Sequence, residues 1–154
     1  MSQTLDSDLN VVSTTTPKEA RTPISSKTAQ TLSSLMQQAV SEGTGSSAQV
    51  AGVSVAGKTG TAQVIGIRQN EKYDEAKVAH HFRDHSLYIG YAPAQNPRIA
   101  LAMVVENGGF GADFAVPIGS LIMEQYLNGK LSAGSRARAE SFRLRHINYG
   151  SHAR

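Results

Sequence analysis

The chain of 154 residues suits one domain of ordinary size and leaves no room for two well-cored ones. With 40% hydrophobic and 18% charged residues it is globular in composition, and with no cysteine it excludes disulfide scaffolds, thiolate metal sites and cysteine nucleophiles. The net charge of +3 is unevenly spread: from Lys130 onward six Lys/Arg face one acid, Glu140, while the first 129 residues carry a net −2. The basic character therefore belongs to the C-terminal end. Without an aromatic ladder or RNA-binding motif beside it, this is read as a solvated extension and not as a nucleic-acid surface. The longest apolar run, Ile99 to Val105, has seven residues, far short of the roughly 20 a spanning helix needs. The first twenty residues lack a basic stretch followed by an apolar one, so no leader or anchor is expected within the chain.

Residues 1–24, rich in Ser, Thr and Asp with Pro17 and Pro23, predict an irregular segment with one short strand near Leu9–Val12. An amphipathic helix is expected over 27–42: Ser25 or Ser26 can cap it, and Leu32, Leu35, Met36, Ala39 and Val40 recur at helical spacing to bury one stripe. Gly43 and Gly45 are expected to end it in the left-handed region. Residues 50–65, small and β-branched, predict an extended strand centred on 55–64, with glycines that let another group approach the backbone. The polar stretch 66–84 is an excursion with a helical turn expected over Asp74–Phe82.

Two more strands are expected, Ser86–Ala92 and Arg98–Glu106, joined by the reversal Pro93-Ala-Gln-Asn-Pro97. The second, apolar on both faces, reads as covered on each side. After Asn107-Gly108-Gly109 a helix is expected from about Ala112 to Asn128, with Pro117 near its first turn, where proline is tolerated, and Gly129 at its end. Its apolar surface is expected from Val116, Ile118, Leu121, Ile122 and Leu127. Residues 131–154 read as a flexible basic tail. The predicted class is α+β: an antiparallel sheet of about three strands with helices packed on it.

Gly52 to Thr59 satisfies the pattern G-x-x-x-x-G-K-[ST] of a phosphate-binding loop. Such a loop must follow a buried strand and launch a helix, so that backbone N–H groups face the phosphates. Here SSAQVA precedes it and a glycine with β-branched residues follows, which suits a strand better. The competing reading places Lys58-Thr59-Gly60-Thr61 on a strand edge. Lys-Thr-Gly is the third motif of the penicillin-recognising serine acyl-transfer enzymes. That chemistry needs a cation and hydroxyls for a substrate carboxylate, a glycine that leaves the edge open, and a backbone N–H for the developing oxyanion.

The resemblance extends beyond the triplet. GKTGTAQV, a polar insertion, RDHSLYIGYAPAQNPRIALAMVVENGG and a helix ending YLNG are similar to the C-terminal part of the transpeptidase domain of class B penicillin-binding proteins, above all the elongation-specific branch of rod-shaped bacteria. The resemblance covers about residues 20–130, which divides the chain into an irregular 1–24, a transpeptidase portion 25–130 and the tail 131–154. It implies a partial transpeptidase-like fold and a part in cell-wall cross-linking, with Lys58 across the cleft from the nucleophile. Thr59 and Thr61 would hold the carboxylate of a peptidoglycan stem peptide or a β-lactam, Gly60 would keep the edge open, and the Thr61 backbone N–H would be one oxyanion donor. No cofactor, metal or nucleic-acid partner is expected. Family members are anchored in the bacterial inner membrane and face the periplasm.

The departures matter as much. No serine stands three residues before any lysine, and none stands two before any asparagine, so both S-x-x-K and S-x-N are absent. The chain is thus expected to be a C-terminal fragment whose partner is the N-terminal part bearing the nucleophile, and to be inactive and poorly soluble alone. A P-loop-like nucleotide module and a catalytically silent remnant of the fold are the alternatives. His80, His81 and His85 cluster without a clearly placed acid and are read as surface residues. Tyr88 and Tyr91 are expected to pack in the sheet.

Overall fold

A computed structural model describes residues 2–16, 22–66 and 78–144. The described chain opens with a hairpin of β1 (Ser2–Leu5) and β2 (Val11–Thr15), whose side chains from residue 3 on are exposed. The turn between them is organised by Asp6, whose Oδ1 accepts the N–H groups of Asp8 (2.9 Å) and Asn10 (2.8 Å). Two strands thus stand where one short strand in an irregular segment was expected.

Helix α1 (Ser26–Ser41) begins as its sequence dictates: the Ser25 hydroxyl accepts the Thr28 N–H at 3.1 Å. Its end differs from expectation. Glu42 takes the cap position and neither Gly43 nor Gly45 has a positive φ; Gly43 is small because a Cβ there would stand 2.8 Å from the Ala39 carbonyl oxygen. Nor does α1 bury its whole stripe. Val40 is buried, but Leu32 and Leu35 are about half exposed, because the inward side of the helix runs through Ser33, Met36, Gln37 and Val40, with Ser33 accepting the Tyr91 hydroxyl.

The central sheet is three antiparallel strands in the order β3 (Ala56–Ala62), β4 (His85–Ala92), β5 (Ile99–Val105). The register is continuous: Lys58, Thr59, Gly60 and Thr61 stand opposite Ile89, Tyr88, Leu87 and Ser86, which stand opposite Ala102, Met103, Val104 and Val105 in turn. Strand alternation then sorts the residues into two faces. One carries Tyr88, Ser86, Leu101 and Met103 and packs on helix α2 (Ala115–Asn128). The other carries Lys58, Gly60, Leu87, Ile89, Ala102 and Val104. β5 was expected to be covered on both sides. Its exposure instead alternates, with Val104 62% exposed, because no described element lies over its second face.

Tyr88 is the pivot of the covered face, 1% exposed, and three glycines make room for its ring. A Cβ on Gly57 or Gly90 would come within 2.4 or 2.5 Å of its hydroxyl oxygen, and one on Gly119 within 2.8 Å of the ring. Burial without a polar partner among the described residues pushes the phenol up to about 12. This fit also fixes which side of α2 faces inward. Val116, Gly119, Ser120 and Met123 are buried, while Ile122, expected in the core, is 45% exposed. The helix starts at Ala115, three residues later than expected, since 111–114 form turns. The Ala115 N–H donates to the buried Ser86 hydroxyl (3.0 Å), and Gly129 ends the helix at φ 68°.

The final segment departs most from expectation. Residues 133–143, taken from sequence as part of a flexible tail, form helix α3 (Ala133–Arg143), capped by Ser132, whose Oγ accepts the Ser135 N–H at 3.3 Å. In the 66–84 excursion a 3₁₀ turn occupies His80–Phe82; residues 67–77, where the helical turn was expected to begin, lie outside the described residues. Among the described residues no helix is long and apolar enough to cross a membrane.

Candidate functional site

Gly52 to Thr59 does not wrap a phosphate and launch a helix. It runs through an isolated bridge between Val50 and Val53 into β3, so the backbone lies flat along a sheet. The helix N-terminus that a phosphate-binding loop requires is absent at this place.

Lys58 and Gly60 emerge on the open face, Thr59 and Thr61 on the opposite one, two residues apart on the outer strand. That spacing sets the two threonines about 7 Å apart along one side of an edge, a reach that suits the two oxygens of one carboxylate with its adjoining chain. Lys58 is exposed, and its ammonium folds back on its own strand, donating to the Thr59 carbonyl (2.8 Å) and Thr59 Oγ1 (3.2 Å). It has no carboxylate partner among the described residues, so its charge is available to an incoming anion or hydroxyl. The Thr59 hydroxyl also meets that of Thr44 at 3.2 Å. Thr44 sits in the turn after α1 and had no sequence signal, being placed by tertiary packing alone.

Behind the strand edge lies a second loop. Gly111 is pressed so closely on Gly60 that a Cβ would stand 2.4 Å from the Gly60 carbonyl oxygen and 2.7 Å from that of Leu87. The ENGGFG run announced a strand break, but not this contact. The loop is fixed by the buried Ser86 hydroxyl donating to the Phe110 carbonyl (3.1 Å), and by the Gly109 N–H donating to the Asp84 carbonyl (2.8 Å). On the open face the same strands frame a shallow groove of about 280 Å³, lined by Lys58, Gly60, Leu87, Ile89, Ala102 and Val104.

His81 and His85 do not form a centre. His81 lies in the 3₁₀ turn and His85 in β4, where its Nδ1 accepts the Asn107 N–H (2.9 Å). Among the described residues no group of three or more His, Cys, Asp or Glu is placed to hold a metal ion. Tyr88 packs in the sheet, and Tyr91 donates its hydroxyl to Ser33 Oγ at 2.7 Å.

Comparison with known proteins identifies the family and the fold. The family model of the penicillin-binding protein transpeptidase domain matches residues 2–124. The peptidoglycan D,D-transpeptidase MrdA of Haemophilus influenzae is 42% identical over 77 residues, covering 50% of this chain and 12% of that protein. The peptidoglycan D,D-transpeptidase PbpA of Mycolicibacterium smegmatis is 38% identical over 117 residues, covering 73% of this chain and 21% of that protein. Among solved structures, penicillin-binding protein A of M. tuberculosis as its ceftriaxone acyl-enzyme complex superposes with a TM-score of 0.55 at 32% identity, covering 80% of this chain and 26% of that one. The chain thus spans roughly an eighth to a fifth of the length of these curated relatives.

Proposed function

Since the chain belongs to the penicillin-binding protein transpeptidase family, we propose that it supplies the substrate-carboxylate and oxyanion wall of a peptidoglycan D,D-transpeptidase whose attacking serine lies on a further part of the protein. The observation that carries this reading is the flat course of Lys58-Thr59-Gly60-Thr61 along the outer strand β3.

In this reading the D-Ala-D-Ala end of a stem peptide, or a β-lactam, lies along β3. The Thr59 and Thr61 hydroxyls donate to its carboxylate, and Gly60 leaves the edge without a side chain in the way. As the serine attacks the carbonyl carbon, negative charge gathers on the carbonyl oxygen. The Thr61 N–H stands to receive it, a contact worth about 3 kcal/mol of barrier where such donors have been removed. Lys58, on the open face with no carboxylate beside it, holds hydroxyls of the nucleophile's side of the cleft by charge-assisted hydrogen bonds. In this reading the work is done at the periplasmic face of the bacterial inner membrane, where the family resemblance sets such proteins.

The test is acylation by a fluorescent penicillin in a protein that joins this segment to its S-x-x-K part. Lys58→Ala and Thr59→Val are each expected to lower the second-order acylation rate by roughly 100-fold, in line with loss of a transition-state contact. Unchanged rates in both variants would refute the assignment.

A further inference from the structure

Helix α3 lies beyond the 2–124 family match, and the sequence marked it only as basic chain, yet it is fastened at both ends. Its foundation is Glu124 on α2, 2% exposed, which accepts the Ser132 N–H at 2.7 Å and the hydroxyl of the buried Ser135. Arg138 spans outward from that point. One guanidinium nitrogen donates to Ser135 Oγ and the other to the Ser47 carbonyl, each at 3.3 Å. Further along, Phe142 meets Phe114 edge-on with ring centroids 6.2 Å apart.

Those two contacts fall on the two loops that touch β3. Ser47 belongs to the 43–48 turn, whose Thr44 hydroxyl meets Thr59. Phe114 ends the 108–114 loop, whose Gly111 backs Gly60. Ser47 Oγ joins the loops to each other by donating to the Ala112 carbonyl at 3.4 Å. We propose that Arg138 is a positioning residue for the Lys58–Thr61 strand: it ties α3 to the 43–48 turn, and through it holds the Thr59 side of the edge in place. The functional meaning of that strand rests on the reading above; the mechanical coupling does not.

Only a guanidinium fits this role. Its planar fork reaches two acceptors in different directions while Glu124 balances its charge, and a lysine ammonium at the same place cannot span both. If α3 merely shielded α2, altering Arg138 would loosen α3 and leave β3 untouched.

Hydrogen exchange on this chain separates the two. In Arg138→Lys the amides of 43–48 and 58–61 are expected to exchange roughly tenfold faster, the size expected for losing one charge-assisted hydrogen bond, while those of β5 hold their rate. Phe142→Ala is expected to quicken 110–115 in the same way. Arg143→Met, which removes only the exposed pair with Glu140 (2.6 Å), should change neither. Faster exchange confined to 133–143 would overturn the proposal, and so would an equal rise across β3, β4 and β5. None of these readouts needs catalysis, so failure of the acylation test above and failure of this one are separate results.

Discussion

The two faces of the central sheet are built from the same three strands but are covered to different extents, the second only at its Ala56–Tyr91 end, where Tyr91 meets Ser33 of α1. On the α2 face Tyr88 is enclosed by Gly57, Gly90 and Gly119, and Met103 and Leu101 pack beside it. On the other face Ile89 (54% exposed) and Val104 (62% exposed) stand uncovered beside Lys58. The first face decides whether the chain folds. The second has apolar area and a cation that the fold itself leaves unused, which is the condition of a surface made to be completed by something else.

The largest effect expected of a single substitution is at the pivot. Tyr88→Ala should cost about 3–5 kcal/mol, as for other large aromatic truncations, and thermal or denaturant unfolding reads it directly. Tyr88→Phe removes only a buried hydroxyl without a partner among the described residues and should be near neutral or stabilising. A large loss from Tyr88→Phe would break the contrast by showing that the hydroxyl matters more than the ring. The same site has an alkaline signature. Its phenol is raised to about 12 in the folded chain, so the neutral form is favoured there. Stability is fully present below the ordinary phenol range near 10 and falls as pH rises from there through about 12.

Next in size is the α2–α3 clasp. Burial pushes the Glu124 carboxyl up, but hydrogen bonds from Ser135 and Ser132 and the charge of Arg138 outweigh it and hold the group below the usual range. A carboxyl lowered by folding contributes stability above its unfolded value, near 4.3, that is lost as pH falls through the folded value. Glu124→Gln should therefore cost about 1–3 kcal/mol at pH 7, with a difference from the parent chain that shrinks on acidification. Unfolding curves at pH 7 and pH 3 check both parts; a constant difference would count against the carboxylate's role.

The smallest effect is expected on the open face. Val104→Thr should change the stability of this chain by no more than about 0.5 kcal/mol, as for an ordinary surface substitution. A cost of 2 kcal/mol or more, on the scale of a cavity-forming core truncation, would show that this face is covered after all.

Much of this was legible in the sequence, and the rest failed for identifiable reasons. The Ser25 cap, the three strands and their reversal follow from local patterns that the packing did not override. The strand course of Lys58-Thr59-Gly60-Thr61 followed from the β-branched residues around it. The uncovered face of β5 was not legible, because IALAMVV is apolar at every position and hydrophobicity does not say whether a partner is present. The inward side of α2 differs from the expectation at Ile122 because the contact with the Tyr88 ring uses Gly119, whose missing Cβ leaves no hydrophobic signal. Helix α3 was hidden because a Glu124–Ser135–Arg138 clasp has no periodic signature: one partner lies on another helix, and the contact with Ser47 spans 91 residues of chain.

On the proposed function, β3 forms the carboxylate and oxyanion wall of an acylation cleft. That reading is tested most directly by the position of a β-lactam in a crystal structure of the longer, acylated protein. The ligand carboxylate is expected within hydrogen-bond reach, about 2.7–3.2 Å, of the Thr59 and Thr61 hydroxyls, with the acyl oxygen at the Thr61 N–H. A ligand whose carboxylate is held by other residues, with β3 untouched, would contradict it.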